Sequence, residues 1–237
     1  MTDLDDARIH NFLLSALPAD EWQRMRPHLR LVTVHLKETM YEAGQAIEHV
    51  DFPVSAVLSM ITQVDQETAV EVATIGREGM AGLPVFLGVS DSPNTVVAQI
   101  EGLIIRMPAA RLREFLLGDG ILHAQLHRYV QATIVQLSQN VACNQLHTTE
   151  ERAARWLLMT ADRVGSPQFA LTQEFLAQML GVRRATVSLT AGMLQSAGLI
   201  SYRRGNISIT DRAALQDAAC DCYPRIRSEF DRLRNNR

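Results

Sequence analysis

Cysteine is scarce in this chain: three among 237 residues, Cys143, Cys220 and Cys222, an odd number and too few for a disulfide framework at this length. A reducing cytosol is the compartment this implies. No run of about 18 apolar residues occurs, which argues against a membrane span. The acidic, polar residues 1–10 also lack the apolar stretch behind a basic leader that marks a signal peptide. The expectation is a cytoplasmic protein with no membrane partner. Lysine is absent from residue 148 onward, where 13 Arg face 9 Asp plus Glu, a balance of +4. The first 147 residues carry −7, so the overall −3 hides a basic C-terminal part, the sign a nucleic-acid surface needs. Catalytic signatures are missing too. No Ser-His-Asp order, phosphate loop or glycine-rich dinucleotide turn appears, so neither enzyme activity nor a cofactor is expected.

What is present divides by texture. The 47% hydrophobic content is enough to give two small domains a core each. Residues 8–29 read as short helices anchored by Leu13, Leu14, Leu17 and Trp22, with Pro18 opening a turn. From Leu31 to Pro108 side chains alternate, as in Val32, Val34 and Leu36, in Val57, Ser59 and Ile61, and in Val70, Val72 and Thr74. Gly44, Asp65, Gly76, Gly79, Gly82, Gly88, Pro93 and Gly102 punctuate these runs. Short period-two runs between turn residues predict many strands, hence a sandwich or barrel.

Beyond Pro108 the pattern turns helical. Ala109 to Leu117 reads as a short helix stopped by Gly118-Asp119-Gly120, and Ile121 to His147 contains neither Gly nor Pro. A helix of about 27 residues spans about 40 Å, more than one small domain needs. Leu122, Leu126, Tyr129, Thr133, Gln136 and Asn140, continued by Cys143, recur at alternating four- and three-residue steps. Val130, Ile134, Leu137 and Val141 form a second stripe. Two stripes imply two clients, its own domain and a twin helix, and the Leu122-to-Asn140 seam is expected to carry the dimer. A single broad core-facing surface is the alternative.

Thr148 and Glu151 then form a capping box that starts another helix, closed by Gly165-Ser166-Pro167. Thr172 can cap a short helix, Gln173 to Leu180, after which Gly181 supplies a left-handed residue and Val182 plugs the corner. A second helix, Arg183 to Gln195, buries Val187, Ala191 and Leu194 and ends at Gly198; Leu199 to Tyr202, Arg203 to Asn206 and Ile207 to Ile209 read as strand, turn and strand. Helix, glycine turn, helix and basic-tipped hairpin is the order of a winged helix-turn-helix. The first turns of the second helix offer Arg183, Arg184, Ala185, Thr186, Ser188 and Leu189 to a major groove about 12 Å wide. Arg suits guanine bidentately, Thr and Ser reach a base or phosphate, Ala and Leu touch a thymine methyl, and Arg203 and Arg204 suit phosphates.

On these residues the chain resembles the Crp/Fnr family of bacterial transcription regulators over nearly its whole length. The matching stretches are Gly44 to Met60, Val70 to Gly88 with Glu71 to Met80 as Glu-Val-Ala-Thr-Ile-Gly-Arg-Glu-Gly-Met, Ala142 to His147, Glu151 to Leu158, and Leu171 to Arg184. The resemblance implies an α+β chain with an N-terminal cyclic-nucleotide-binding-like β-roll, jelly-roll-like, a long dimerisation helix and the C-terminal winged helix-turn-helix. The domain boundaries expected are 8–118 for the sensor, 119–147 for the dimerisation helix, 148–214 for the DNA-binding domain and 215–237 for a helical tail. Two departures matter. Cyclic-AMP-binding members grip ribose and phosphate with Gly-Glu and Arg-Ser pairs, where this chain has Gly79-Met80-Ala81-Gly82-Leu83 and Ser92-Pro93-Asn94-Thr95. Met80 cannot bind a ribose hydroxyl, and a buried anion without an Arg is costly, so tight cyclic AMP binding is not expected. An unknown small-molecule effector is assigned to Arg77, Gly79, Met80, Gly82, Leu83, Asn94 and Thr95. The other departure is in the reading turn, where Ala185 and Leu189 stand in place of the family's Glu and second Arg, which changes the preferred half-site.

The expected protein is therefore a dimeric regulator bound to a dyad-symmetric duplex site, with RNA polymerase as a further partner. A regulatory module acting on a partner protein is the alternative, and a cupin-like metalloenzyme is disfavoured because the strand region holds only His35 and His49 as lone histidines. Cys143 and His147 lie four apart on one helix face and Cys220-Asp221-Cys222 offers two thiolates, but no sequence signal joins the pairs. They are read as free thiols and no metal site is expected; a four-cysteine iron–sulfur cluster is out of reach.

Overall fold

The computed structural model describes residues 3–63, 69–118 and 120–235; the expected turn residues Asp65 and Asp119 lie outside them. Three short helices open the chain: α1 (Leu4–Arg8), α2 (Phe12–Ser15) and α3 (Ala19–Met25). The Asp3 carboxylate accepts the Leu4 N–H and Asn11 Oδ1 accepts the Leu14 N–H, side-chain caps for two helices too short to hold themselves. Leu13, Leu14, Leu17 and Trp22 are buried, as expected.

Seven strands follow, β1 (Arg30–Val34), β2 (Thr39–Tyr41), β3 (His49–Pro53), β4 (Val57–Gln63), β5 (Ala69–Ile75), β6 (Thr95–Ile100) and β7 (Gly102–Pro108), with the four-residue α4 (Leu83–Phe86) between β5 and β6. They pair antiparallel into two sheets, ordered β1-β7-β3 and β2-β6-β4-β5. Val34, Val50, Phe52, Leu58, Val96, Ile104 and Ile105 are fully buried in the roll's core. Each such side chain contributes about 1.5–3 kcal/mol, enough together to hold strands of three to seven residues.

After α5 (Ala109–Phe115) comes the 26-residue α6 (Ile121–Leu146). Gly120 gives it no side-chain cap, and Glu21 of α3 supplies one instead, its carboxylate accepting the Ile121 and Leu122 N–H groups at 2.7 and 3.3 Å. The capping box read from the sequence starts α7 (Thr149–Val164), and Gly165 ends it at φ +74°. Then follow β8 (Gln168–Ala170), α8 (Gln173–Leu180), α9 (Arg184–Ser196), β9 (Ile200–Arg203), β10 (Asn206–Ile209), α10 (Arg212–Asp217) and α11 (Cys222–Asn235). β8, which the sequence reading does not contain, completes the sheet β8-β10-β9. Helix α11 lies on α6 through Tyr223, Ile226, Phe230 and Leu233, all buried, with the Phe230 ring 6.3 Å from that of Tyr129.

That arrangement corrects the expected dimer seam. Leu122 and Leu126 are fully buried, Tyr129, Thr133 and Gln136 nearly so, all within their own chain. The polar members are used against the roll: Tyr129 Oη donates to the Met80 carbonyl (3.3 Å), Gln136 Nε2 to the Thr74 carbonyl (3.3 Å) and Asn140 Nδ2 to the Val72 carbonyl (2.8 Å). Those carbonyls belong to β5 and the turn after it, and β5 is a sheet-edge strand whose unpaired groups need partners. The stripe left in solvent is the other one, with Ile134 51% and Val141 67% exposed. Among the described residues, no helix is long and apolar enough to cross a membrane.

Candidate nucleic-acid interface

Helices α8 and α9 are set at their angle by local chemistry. Thr172 Oγ1 accepts the Phe175 N–H at 3.2 Å to start α8. Gly181 at φ +64° ends it, returning its N–H to the Ala177 and Gln178 carbonyls, and Val182 tucks its side chain against the core. Helix α9 buries Val187, Thr190, Ala191 and Leu194 and turns Arg184, Ala185, Ser188, Leu189 and Met193 outward. Thr186 is half-buried between the two faces. Leu189 is 70% and Met193 48% exposed, large apolar groups that water does not reward and a thymine methyl does. Met193, absent from the sequence reading, joins this face because it lies one turn beyond Leu189.

No side chain caps α9, whose N-cap is Arg183, so its first N–H groups face outward with the positive end of the helix dipole. The wing is tied to the same place: the Tyr202 N–H donates to Gln195 Oε1 at 2.8 Å, and the field of Arg184 reaches the Tyr202 phenol. Arg204 at φ +49° and Gly205 at φ +78° form the two-residue left-handed turn that β9 and β10 require. A non-glycine residue there costs about 1 kcal/mol and sets an arginine at the tip. Arg183, Arg184, Arg203 and Arg204 are exposed, and among the described residues none is in an ion pair. Every DNA-contact residue expected from the sequence thus lies on α9, its flank, the cap of α8 or the wing.

Helices α7 and α8 are docked on the β-roll. Arg163 of α7 donates to Glu78 Oε1 at 2.6 Å, both about 5% exposed, and Arg155 Nη1 donates to Asn140 Oδ1 at 2.9 Å. Glu71 of β5 accepts from Trp156 Nε1 (2.9 Å) and approaches Ser59 Oγ at 2.6 Å, beside Met179 of α8. Ser59 Oγ also lies 2.8 Å from Gln99 Oε1, and one hydroxyl proton serves only one of these two oxygens. A proton on Glu71 supplies the other bond. Burial pushes this carboxyl up to about 7, against the Ser59 and Trp156 hydrogen bonds and the more distant Arg163 and Arg155 charges, which lower it. Below about pH 4.5 the group is protonated folded and unfolded alike; as pH rises to about 7 the unfolded chain has lost a proton that the fold keeps. Stability should therefore fall by up to about 3 kcal/mol across that window and level off above it. Urea denaturation of Glu71→Gln should show that fall removed, and an unchanged slope refutes the assignment.

The expected effector residues are for the most part engaged within the fold. Arg77 donates from Nε and Nη2 to the Asp162 carbonyl (3.2 and 2.9 Å), Met80 is fully buried under Tyr129, and a Cβ on Gly79 would sit 2.3 Å from that ring. Gly82 donates to Tyr41 Oη and leads into Leu83 of α4, whereas Asn94 bonds Thr62 and Thr95 accepts from Ala43. A cavity of about 520 Å³ at the domain junction is lined by Arg77, Glu78, Asp162, Arg163, Arg212 and Phe230 among others, and by none of the remaining six.

The cysteines are free, as expected, and the fold brings together the two pairs that no sequence signal joined. The turn before α11 brings Cys220, and the first residue of α11 brings Cys222, to the end of α6, where Cys143 Sγ lies 3.4 Å from Cys220 Sγ and Cys222 Sγ 3.7 Å from His147 Nδ1. Cys143 and Cys220 share a thiol proton, so one of the two ionises more easily than a free thiol and the other less easily, with Arg155 nearby favouring the thiolate.

The architecture is therefore a β-roll, a long helix and a winged helix-turn-helix whose exposed arginines have no carboxylate partner among the described residues. Residues 151–218 match the family model of the Crp-like helix-turn-helix domain. The whole fold is similar to that of FixK2 from Bradyrhizobium japonicum (16% identity, 81% of this chain and 98% of that one, TM-score 0.69). It is similar too to a CRP-family transcriptional regulator from Thermus thermophilus (18%, 79% and 96%, 0.67). The c-di-GMP-responsive global regulator CLP from Xanthomonas campestris is a third such structure (13%, 82% and 100%, 0.63). No curated protein matches by sequence. Residues 151–218 are thus a Crp-like helix-turn-helix domain, and the chain as a whole shares the fold of these structures.

Proposed function

We propose that the protein is a homodimeric transcription regulator that reads a dyad-symmetric operator with α9 in the major groove and its wing on the flanking phosphates. The observation that carries this reading is four exposed arginines, Arg183 and Arg184 at the start of α9 and Arg203 and Arg204 at the wing, without carboxylate partners among the described residues. Residues 8–118 serve as sensor, 119–147 pair the protomers through the exposed Ile134 and Val141 stripe, 148–214 bind DNA, and 215–237 brace α6. Cyclic AMP is not the effector, because buried Met80 offers no partner for a ribose. An effector in the 520 Å³ junction cavity touches both halves at once, as a ligand must to favour one arrangement of them. Catalysis has no part in this reading.

Selection of bound fragments from random duplex DNA, with sedimentation of the same preparation, tests it. Enriched sites should be inverted repeats with centres about 34 Å apart, bound by dimers. The Arg203→Ala/Arg204→Ala variant should bind all sequences more weakly and lose about four, two per protomer, from the slope of log affinity against log salt. No enrichment at low salt overturns the proposal.

A further inference from the structure

We infer that Cys143, His147, Cys220 and Cys222 form a tetrahedral site for one zinc ion, independent of the DNA-binding surface. The four side chains come from two segments that only the tertiary fold joins. Cys143 occupies the last full turn of α6, and His147 is that helix's C-cap, its N–H bonded to the Cys143 carbonyl at 3.1 Å. Cys220 lies in the turn between α10 and α11, and Cys222 begins α11. All four ligand atoms fall within 4.8 Å of one another, and the three cysteines are free and buried.

The spacing decides between three chemistries. A zinc ion with Zn–S of about 2.3 Å and Zn–N of about 2.0–2.1 Å holds its tetrahedral ligand atoms about 3.5–3.8 Å apart. The 3.4 Å between Cys143 and Cys220 sulfurs and the 3.7 Å between Cys222 sulfur and His147 Nδ1 lie within about 0.4 Å of that edge, a small adjustment on binding. A disulfide needs about 2.05 Å, and it would leave the third thiol and the imidazole unexplained. An iron–sulfur cluster inserts several irons and sulfides among its ligands and requires a wider cage than this one. Three thiolates and an imidazole in a closed tetrahedron are a structural zinc donor set, soft enough to exclude magnesium or calcium. Three thiolates with a divalent ion leave one negative charge, and Arg152 and Arg155 lie close enough to feel the thiolates.

The position gives the ion a task. It fastens the start of α11 to the end of α6, at the joint where the long helix hands over to α7 and the DNA-binding domain. Binding releases thiol protons, so the affinity rises with pH.

The full-length chain, purified with reductant and without chelator or an affinity tag rich in histidine, should contain close to one zinc per chain by elemental analysis. Apo protein titrated with cobalt(II) should develop the intense visible bands of a tetrahedral thiolate site, which zinc then displaces. Asp221→Ala should retain full stoichiometry, whereas Cys222→Ser and His147→Ala should each weaken zinc binding at least 100-fold. Wild-type protein is the deciding sample, so poor folding of a variant does not blunt the test. Less than a tenth of an ion per chain with no cobalt bands, a Cys143–Cys220 disulfide in freshly isolated protein, or bound iron with inorganic sulfide each overturns the assignment.

Discussion

Arg184→Ala should weaken binding to the preferred duplex about 5- to 150-fold per half-site, equivalent to about 1–3 kcal/mol, and flatten the base preference at one position. Arg184 is the first residue of α9, exposed, uncapped and in no ion pair among the described residues, so the loss is not diluted by an internal role. A phosphate contact at the same place would behave otherwise, weakening every sequence alike. Arg184→Lys separates the two: lysine keeps the charge but cannot form the planar two-pronged contact with guanine. Affinity for non-specific duplex and the salt slope should survive in Arg184→Lys, whereas the base preference should not. Competition binding against operators changed one base pair at a time supplies the readout. Equal losses across all operators would place Arg184 on the backbone and shift the reading to Ser188, Leu189 and Met193.

How much of this was legible beforehand follows the range of the signals. The helix-turn-helix is written locally: Thr172, Gly181 and Gly198 mark ends, and Val187, Ala191 and Leu194 mark the buried face, all within about thirty residues, so the elements fall where expected. The Thr148–Glu151 box is legible for the same reason. The long helix is legible in length but not in orientation. Periodicity shows that α6 has two apolar stripes without showing which meets the roll; Gln136 and Asn140 look like weak seam members until the β5 carbonyls are seen opposite them. The thiol cluster depends on a contact across 77 residues, set by the apolar face of α11, which no local spacing encodes. Glu71 is hidden for a related reason, since a charged residue in a strand reads as solvent-facing until Trp156 and Met179 cover it.

The same distant contacts make Arg163 the residue whose loss should cost the fold most. Its guanidinium donates to Glu78 at 2.6 Å and to Gln136 Oε1 at 3.4 Å, and sits 5.6 Å from the centre of the Phe230 ring. Sensor turn, long helix, α7 and α11 therefore meet on one cation. In Arg163→Ala, Glu78 keeps, among the described residues, only the Gly76 N–H (3.1 Å) as a hydrogen-bond donor and remains buried with its charge. Breaking such a pair from one side costs about 3–5 kcal/mol, because desolvation of the survivor is no longer offset. For a chain of this size that lowers the melting midpoint by about 6–20 °C. The pair itself need not add net stability, since two desolvated charges roughly cancel their attraction. Arg163→Met/Glu78→Gln should consequently recover most of the loss, and a double-mutant cycle measured by urea denaturation gives the coupling directly. Recovery of stability without recovery of effector response would mark the ion pair as the part of the junction that carries the signal, whereas a single-mutant cost below about 1 kcal/mol would mean that water already reaches Glu78.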